Sequence, residues 1–134
     1  MIPSNNSILT TDLEVTTQPS LAHKMYIDGK YINGTCKNLE EVKQTIYKIL
    51  NTERYQYVIY SFDYGVEFAD LFGEPISYVC SEIERRITEA LMQDDRIESV
   101  SDFEFDTSNR HEVVCTFVVH TIFGDVAEEK VVNA

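Results

Sequence analysis

The chain has 134 residues, of which 43% are hydrophobic, and its 11 basic and 23 acidic side chains give a net charge of −12. This length and hydrophobic content predict one folded domain and argue against global disorder. The negative charge disfavours binding to nucleic acid or to anionic membranes, and no apolar run approaches the roughly 20 residues of a membrane-spanning helix.

Residues 1–22 are rich in Ser, Thr, Asn and Gln and show no firm hydrophobic period. We interpret them as an extended N-terminal arm that precedes a single α+β domain over residues 23–134. The arm lacks the basic start and the apolar stretch of a secretory signal. The three cysteines are odd in number and widely spaced, which suits reduced thiols, so we expect folding and assembly in the cytoplasm.

The first element of the domain is a β-hairpin, because Asp28-Gly29 lies between two short apolar runs. Asn38 has the character of a helix N-cap, and Glu41 stands at the position that completes a capping box. The apolar residues that follow at helical spacing predict a helix over residues 39–51. Residues 55–60 are aromatic and β-branched, and the sequence leaves their structure ambiguous.

Two further helices are predicted in the middle of the chain. Residues 66–72 form a short element that Gly73 closes, and Pro75 opens a long helix that ends near Gln93. The opposite side of the long helix carries charged residues four apart, which is typical of a solvated helix face. Its apolar stripe is formed by Ile76, Val79, Ile83, Ile87 and Leu91.

The C-terminal part predicts a long β-hairpin. We expect one strand over residues 100–105, a polar turn over residues 106–110, and a long second strand over residues 112–123. A short acidic tail follows at 125–130. Both faces of the second strand are largely apolar, so one face needs a cover beyond the helices. A partner's strand and the chain's own hairpin or arm are the two alternatives. The predicted fold class is α+β, with two long helices and one short helix packed on an antiparallel sheet.

The acidic side chains raise the question of a glycosidase, since such enzymes place two carboxyl groups about 5 to 9.5 Å apart. With 23 acidic residues close pairs arise by chance, and the chain has no Trp to serve as a sugar platform. We therefore predict no catalytic residues. The candidate carboxyl groups are those of Glu53, Asp63, Glu67, Asp94 and Asp95.

Metal and cofactor sites find equally little support in the sequence. His23, His111 and His120 lie apart without CxxC or HExxH spacing. Cys115 and His120 are therefore interpreted as strand residues rather than as ligands. Neither a P-loop nor a dinucleotide fingerprint is present. We predict no metal and no cofactor, which leaves binding to another protein as the function.

The order of several short segments resembles a known family. These segments are the run Ile46 to Arg54, the pair Tyr64-Gly65, and the tripeptide Asp94-Asp95-Arg96 after the second long helix, followed by the final hairpin. Their combination resembles the baseplate wedge and sheath-initiator family of contractile phage tails, whose members are sometimes labelled lysozyme-like. It is most similar to the version of Gram-positive prophages and phage-tail-like bacteriocins, over residues 38–125.

The resemblance implies roles for two motifs. Tyr64-Gly65 fills the place of an aromatic-Gly turn in the family. The tripeptide stands where the family has Glu-Pro-Arg, so Arg96 matches, Asp94 keeps the acidic charge, and Asp95 departs from proline. By this resemblance the tripeptide docks on a helical bundle of baseplate wedge proteins. The alternative for Arg96 is an ion pair with an acidic neighbour in its own domain.

The resemblance further implies a structural subunit without catalysis. Its sheet would interlock with the tail sheath protein and template the first sheath ring by strand addition. The subunit would sit in the tail baseplate of a virion or phage-tail-like particle assembled in the bacterial cytoplasm. The tail tube or tube-initiator protein is a further candidate partner, whereas nucleic acid and membrane are not. The predicted sheath-facing strand comprises Val114, Thr116, Val118, His120 and Ile122.

Two rival functions stay open at this point. One is a peptidoglycan hydrolase that uses a carboxyl pair, and the other is a small acidic regulator that binds a host protein. Lysis of purified cell walls would favour the hydrolase. Absence of the chain from assembled particles, together with co-purification of a host protein, would favour the regulator.

Overall fold

The computed structural model describes residues 20–134 and shows a small α+β fold with two antiparallel sheets. The first sheet pairs β1 with β2, and the second has the strand order β3-β4-β5. Two α-helices lie between the sheets in sequence. In chain order the elements are β1 (Leu21–Tyr26), β2 (Tyr31–Lys37), α1 (Leu39–Leu50), a 3-10 turn (Ala69–Leu71), α2 (Ile76–Leu91), β3 (Ile97–Asp106), β4 (Glu112–Thr121) and β5 (Gly124–Asn133).

The predicted arm at residues 1–22 lies, up to residue 19, outside the described residues. Its last two residues, Leu21 and Ala22, belong to β1 and pair with β2. The division of the chain at residue 23 stays a prediction.

Strands β1 and β2 form the hairpin that Asp28-Gly29 predicts. Tyr26 and Tyr31 face each other next to the turn, and their rings stack with centroids 4.6 Å apart. The hairpin is tied to α1, because the Gln44 side chain accepts a hydrogen bond from the Met25 N–H at 2.8 Å. The hairpin therefore lies beside α1 as a small separate sheet.

Helix α1 begins where it was expected, but the predicted capping box is wrong. Asn38 has a φ of +56° and makes no side-chain cap hydrogen bond. The Glu41 side chain is buried and pairs with Arg96. A Glu that completes a capping box must reach back to the N-cap residue, and the stronger charged partner draws it away.

The predicted short helix at residues 66–72 is also wrong, because only Ala69–Leu71 are helical, as a 3-10 turn. Val66 is extended and forms a parallel bridge with Glu53. The Glu53 carboxylate accepts hydrogen bonds from the N–H groups of Phe68 and Ala69, both at 3.2 Å. These contacts satisfy backbone donors that a short helix would leave free at its start. The expected arrangement of two long helices and one short helix on one sheet is therefore replaced by two helices and two sheets.

The predicted C-terminal hairpin is in fact a three-stranded sheet, and the predicted acidic tail is its third strand. β5 pairs with β4 along its whole length without a register shift. Val126 and Val132 are buried on the core side, Asp125 and Glu129 are exposed, and Glu128 is half-buried. Charged side chains are typical of an edge strand, so the composition of this segment concealed its pairing.

The core lies between the two helices and one face of the β3-β4-β5 sheet. β4 alternates strictly between buried and half-buried residues, which places its odd-numbered residues in the core. α1 and α2 bury their apolar stripes in the same core. The largest fully buried side chains are those of Phe117, Ile46, Leu71, Ile83, Ile87 and Leu91.

Candidate functional site

The predicted docking tripeptide, Asp94-Asp95-Arg96, forms the turn between α2 and β3. The Asp94 N–H donates to the Leu91 carbonyl at 3.1 Å, and the Asp94 carboxylate accepts the Arg96 N–H at 2.9 Å. Asp95 is exposed between them. An aspartate that bonds to the backbone two residues later fixes a turn, which proline fixes through its ring. The Asp94 contact therefore supplies local order where the family's proline is missing.

The Arg96 guanidinium is occupied inside the domain. It donates to the Asp94 carboxylate at 2.9 and 2.7 Å and pairs with Glu41 of α1. It also donates to the Ser20 hydroxyl at 3.2 Å and to the Thr45 hydroxyl at 3.4 Å. Burial lowers the pKa of Arg96, although a guanidinium remains charged at physiological pH. Of the two roles considered for Arg96, the ion pair within the domain is the one that has contacts in the structure.

The pair Tyr64-Gly65 brings the chain close to the segment after α1. Gly65 has a φ of +93°, and a Cβ atom there would lie 2.6 Å from the Thr52 carbonyl oxygen. The Val66 N–H donates to the same oxygen at 3.0 Å. Tyr64 stacks on Tyr60 with ring centroids 4.3 Å apart. Glycine is therefore required for a close backbone approach that closes the loop between α1 and α2.

The predicted sheath-facing residues lie on the sheet face opposite the core. Val114, Thr116, Val118 and His120 are half-buried residues of β4. Ile122 follows the strand, in the turn before β5, and is exposed. β4 is the central strand, so its backbone is paired with β3 on one side and with β5 on the other. A foreign strand would therefore have to add at β3 or β5.

The outer edge of β3 is irregular. Its register with β4 shifts between Ile97 and Ser99 and again between Ser101 and Glu104. Asp102, within the second shift, has a φ of +57°. Bulges of this kind twist an edge and interrupt its row of backbone donors and acceptors, which disfavours further pairing.

The outer edge of β5 is regular. The Ala134 N–H donates to the His111 carbonyl at 3.0 Å, which continues the β4-β5 ladder in the same register. In an antiparallel pair this bond fixes the even-numbered residues of β5 as those whose backbone faces β4. The N–H and C=O groups of the odd-numbered residues, from Asp125 to Asn133, therefore point outward. Within residues 20–134 no strand pairs with them.

A groove of about 460 Å³ lies beside the end of β5. Residues 130–133 form one wall, and Tyr57, Phe68 and Phe72 belong to the other. Sheets that bind extended peptides combine a free edge, whose backbone gives affinity, with side-chain pockets that give specificity. The edge of β5 and the aromatic wall have this combination.

His120 belongs to a polar row that the sequence analysis missed. Its Nδ1 atom lies 2.8 Å from Asp125 Oδ1, and its Nε2 atom lies 2.6 Å from Ser101 Oγ. The order of these contacts is that of a Ser-His-Asp triad, but the Asp125 side chain is 68% exposed on an open sheet face. Water screens such a carboxylate. Hydrogen bonds between the neighbouring strands β3, β4 and β5 therefore explain this row. The sequence alone does not show it, because it depends on the pairing of His120 in β4 with Asp125 in β5.

Three of the five candidate carboxyl groups have structural partners. Glu53 accepts two backbone N–H groups, and Asp63 lies 3.7 Å from the Arg54 guanidinium. Asp94 binds Arg96, as described above. These contacts assign Glu53, Asp63 and Asp94 to the stabilisation of loops and turns.

The candidate metal ligands are separated in the fold. His23 lies in β1, His111 precedes β4, and Cys115 and His120 lie on opposite faces of β4. In the part of the chain that the structure describes, no group of three or more His, Cys, Asp or Glu side chains is arranged to hold a metal ion. Burial raises the pKa of Cys115 to about 12, so its thiol stays protonated.

Between residues 20 and 134, neither helix has the length and apolar character needed to cross a membrane.

Comparison with known proteins gives two matches. A family model described as contractile injection system sheath initiator matches residues 5–124. The chain is also similar to the phage-like element PBSX protein XkdS of Bacillus subtilis (strain 168), with 37% identity over 129 residues. This alignment covers 91% of both chains. Both matches thus extend over nearly the whole sequence rather than over one motif.

Proposed function

We propose a function from the premise that this chain belongs to the family of contractile injection system sheath initiators. Membership makes it a structural component of a phage-type contractile tail. The finer proposal is that it lies in the baseplate and links the inner baseplate wedge to the tail sheath. There it templates the first sheath ring by accepting an extended segment of the sheath protein.

The observation that carries this proposal is the regular outer edge of β5. The strand has ten residues, and its outward backbone groups follow one another without a bulge. Each backbone hydrogen bond contributes a net free energy of about 1 kcal/mol, so a segment paired along the edge is held by several such bonds. The irregular edge of β3 offers no comparable row.

The chemistry of the edge indicates which segment fits. Asp125 and Glu129 are exposed at outward positions of β5, and Tyr57 and Phe72 stand beside its last residues. Opposite charges on neighbouring strands attract, and aromatic walls favour apolar side chains. We expect a sheath segment that carries Lys or Arg near the start of β5 and an apolar side chain near Val131.

A preordered edge would lower the cost of starting sheath polymerisation. The first sheath subunit loses translational freedom and must order an extended segment, and both losses oppose binding. A template removes part of this cost, because its own strand is already ordered. A ring of such templates around the tube would present the edge at symmetry-related positions.

For the wedge side, we propose that the Asp94-Asp95-Arg96 turn is the docking feature. Asp95 is exposed at its tip, whereas the Arg96 side chain braces the turn from within. In this arrangement Arg96 shapes the surface that the wedge proteins contact, and Asp95 is the side chain available to them.

A proline at position 131 tests the proposal. The Val131 N–H points outward, so Val131→Pro removes an edge donor without removing a bond of the β4-β5 ladder, and proline is tolerated on edge strands. The variant should fold and enter the baseplate, but the tubes should carry disordered or absent sheath. Val131→Thr keeps the N–H and serves as the matched control with normal sheath. Normal contractile particles from Val131→Pro would refute strand addition at β5.

A further inference from the structure

The loop between α1 and α2 carries a run of exposed apolar side chains. Residues 55–62, termed the aromatic loop below, contain no charged residue. Val58 is fully exposed, Ile59 is 85% exposed and Phe62 is 81% exposed. Tyr55 and Tyr57 are also more than half exposed. One of its residues, Tyr57, also lines the groove beside β5, so the loop adjoins the edge proposed to accept the sheath segment, whereas Val58, Ile59 and Phe62 do not line that groove.

The aromatic loop is held in shape by its own domain. Arg54 donates from Nε to the Phe62 carbonyl at 2.7 Å, and its guanidinium lies 5.3 Å from the centre of the Tyr55 ring. Tyr60 stacks on Tyr64, and the two rings are 4.3 Å apart. The apolar side chains therefore stand on a fixed loop, so binding through them would cost little ordering entropy.

The exposed apolar area is large for a chain of this size. An aromatic residue carries on the order of 150 Å² or more of surface, so the exposed side chains of the loop together present several hundred Å². The largest apolar patch of a typical monomer covers about 300 to 600 Å². One partner in a stable protein complex buries about 800 Å². The aromatic loop thus reaches the size at which an exposed apolar patch marks an interaction site.

The surroundings of the loop are acidic. Between residues 53 and 74 the chain has a single basic residue, Arg54. Its acidic residues are Glu53, Asp63, Glu67, Asp70 and Glu74. A partner that covers an apolar patch with such a border gains from basic residues around its own pocket.

We propose that the aromatic loop is a second docking surface, which inserts into an apolar pocket bordered by Lys or Arg on another protein of the assembled tail. The proposal rests on the proposed function for the location of that protein. A second copy of this chain fits less well. Each copy carries a net charge of −12 and brings the same acidic border to the contact.

The first test replaces the most exposed side chains. In the producing cells, Val58→Ser combined with Ile59→Ser should lower the amount of this chain in purified particles by about tenfold or more, since central apolar contacts dominate interfaces. The purified variant should keep the melting temperature of the parent, because both side chains are exposed. Ile32→Ser removes a matched exposed side chain from β2 and should leave incorporation unchanged. Undiminished incorporation of the double variant would overturn the proposal.

The second test identifies the occupant. A photo-crosslinking phenylalanine analogue is placed at position 58 and irradiated in assembled particles. The expected product joins this chain to a different tail protein, at an apolar segment with Lys or Arg nearby. A product between two copies of this chain, or no product above that of a probe at Glu40, would overturn the proposal. The Val131→Pro experiment reads sheath order instead, so the failure of one proposal is distinguishable from the failure of the other.

Discussion

The Arg96 side chain contacts Ser20 just before β1, Glu41 in helix α1 and Asp94 in the turn after α2. It is 23% exposed. Glu41, its partner in α1, is buried. A buried carboxylate that loses its cation remains desolvated without compensation, and this loss commonly costs more than the pair itself contributes. Arg96 thus contributes first to folding, and any effect of its replacement on assembly must be separated from instability.

We predict that Arg96→Met lowers the free energy of unfolding by about 3 kcal/mol, because it leaves Glu41 unpaired. Combining it with Glu41→Gln should recover part of the loss, since the second change removes the buried charge. Urea unfolding of both variants measures the difference. The exposed neighbour supplies the control, and Asp95→Asn should change stability by less than about 0.5 kcal/mol. Equal stability of parent and Arg96→Met would contradict the structural role.

Gly65 gives a second prediction at this scale. Gly65→Ala combines left-handed backbone strain with a Cβ placed against the Thr52 carbonyl, so we expect a loss of about 3 kcal/mol or more. Gly34 also has a positive φ, but a Cβ there meets nothing within 4 Å. Gly34→Ala should therefore cost only the strain, about 1 to 2 kcal/mol. Thermal unfolding of both variants decides, and equal losses would argue against the close approach at Gly65.

At the scale of elements, ion pairs anchor the loop between α1 and α2 to helix α2. Arg86 donates to the Asp70 carboxylate at 2.5 and 3.0 Å and to the Glu67 carbonyl at 2.7 Å. The hydrogen bond from Arg86 lowers the pKa of Asp70. These contacts hold the segment that carries the aromatic loop.

The lowered pKa of Asp70 fixes the sign of a pH dependence. A carboxyl group whose pKa is lower in the folded state stabilises the fold above its unfolded pKa, and this contribution is lost as the pH falls through the folded pKa. The parent should therefore be more stable than Asp70→Asn at pH 7, and the difference should shrink below about pH 4. Urea unfolding at several pH values measures it. A stability difference that grows as the pH falls would argue against the ion pair between Asp70 and Arg86.

The elements that the sequence predicted well are those with strong local signals. Asp28-Gly29 marks the place of its hairpin, although the turn has four residues and the positive φ falls on Lys30. The apolar stripe of α2 specifies its helix through spacing. β5 was missed, because its partner strand and edge position decide its structure and its composition is that of a solvated segment. Residues 55–62 were ambiguous because contacts with their flanking residues, Arg54 and Tyr64, hold them rather than a repeating hydrophobic pattern.

The candidate sites likewise divide into features that local sequence patterns predict and features that depend on contacts between distant residues. The sequence indicated which residues of β4 share a face, since alternation is a local property. It did not indicate that both edges of β4 are paired or that Arg96 meets Glu41, because both facts depend on residues far apart in the chain. The role of Gly65 followed from a family resemblance, and the structure supplies its physical reason in the approach to Thr52.

In the whole molecule, the two proposed surfaces would bind different kinds of partner. The edge of β5 offers backbone groups to an extended segment, whereas the aromatic loop offers a rigid apolar surface to a folded partner. The net charge of −12 favours basic partners at both places and keeps free copies apart. Assembly in this account proceeds by heterologous contacts around the tube rather than by self-association.

In the proposed function, the outer edge of β5 accepts a strand from the sheath. Imaging of the complete tail at near-atomic resolution tests it most directly. An extended sheath segment should lie about 4.8 Å from β5 and be hydrogen-bonded to its odd-numbered residues. A β5 edge that meets only water, or only residues of its own chain, next to a fully assembled first sheath ring would contradict it.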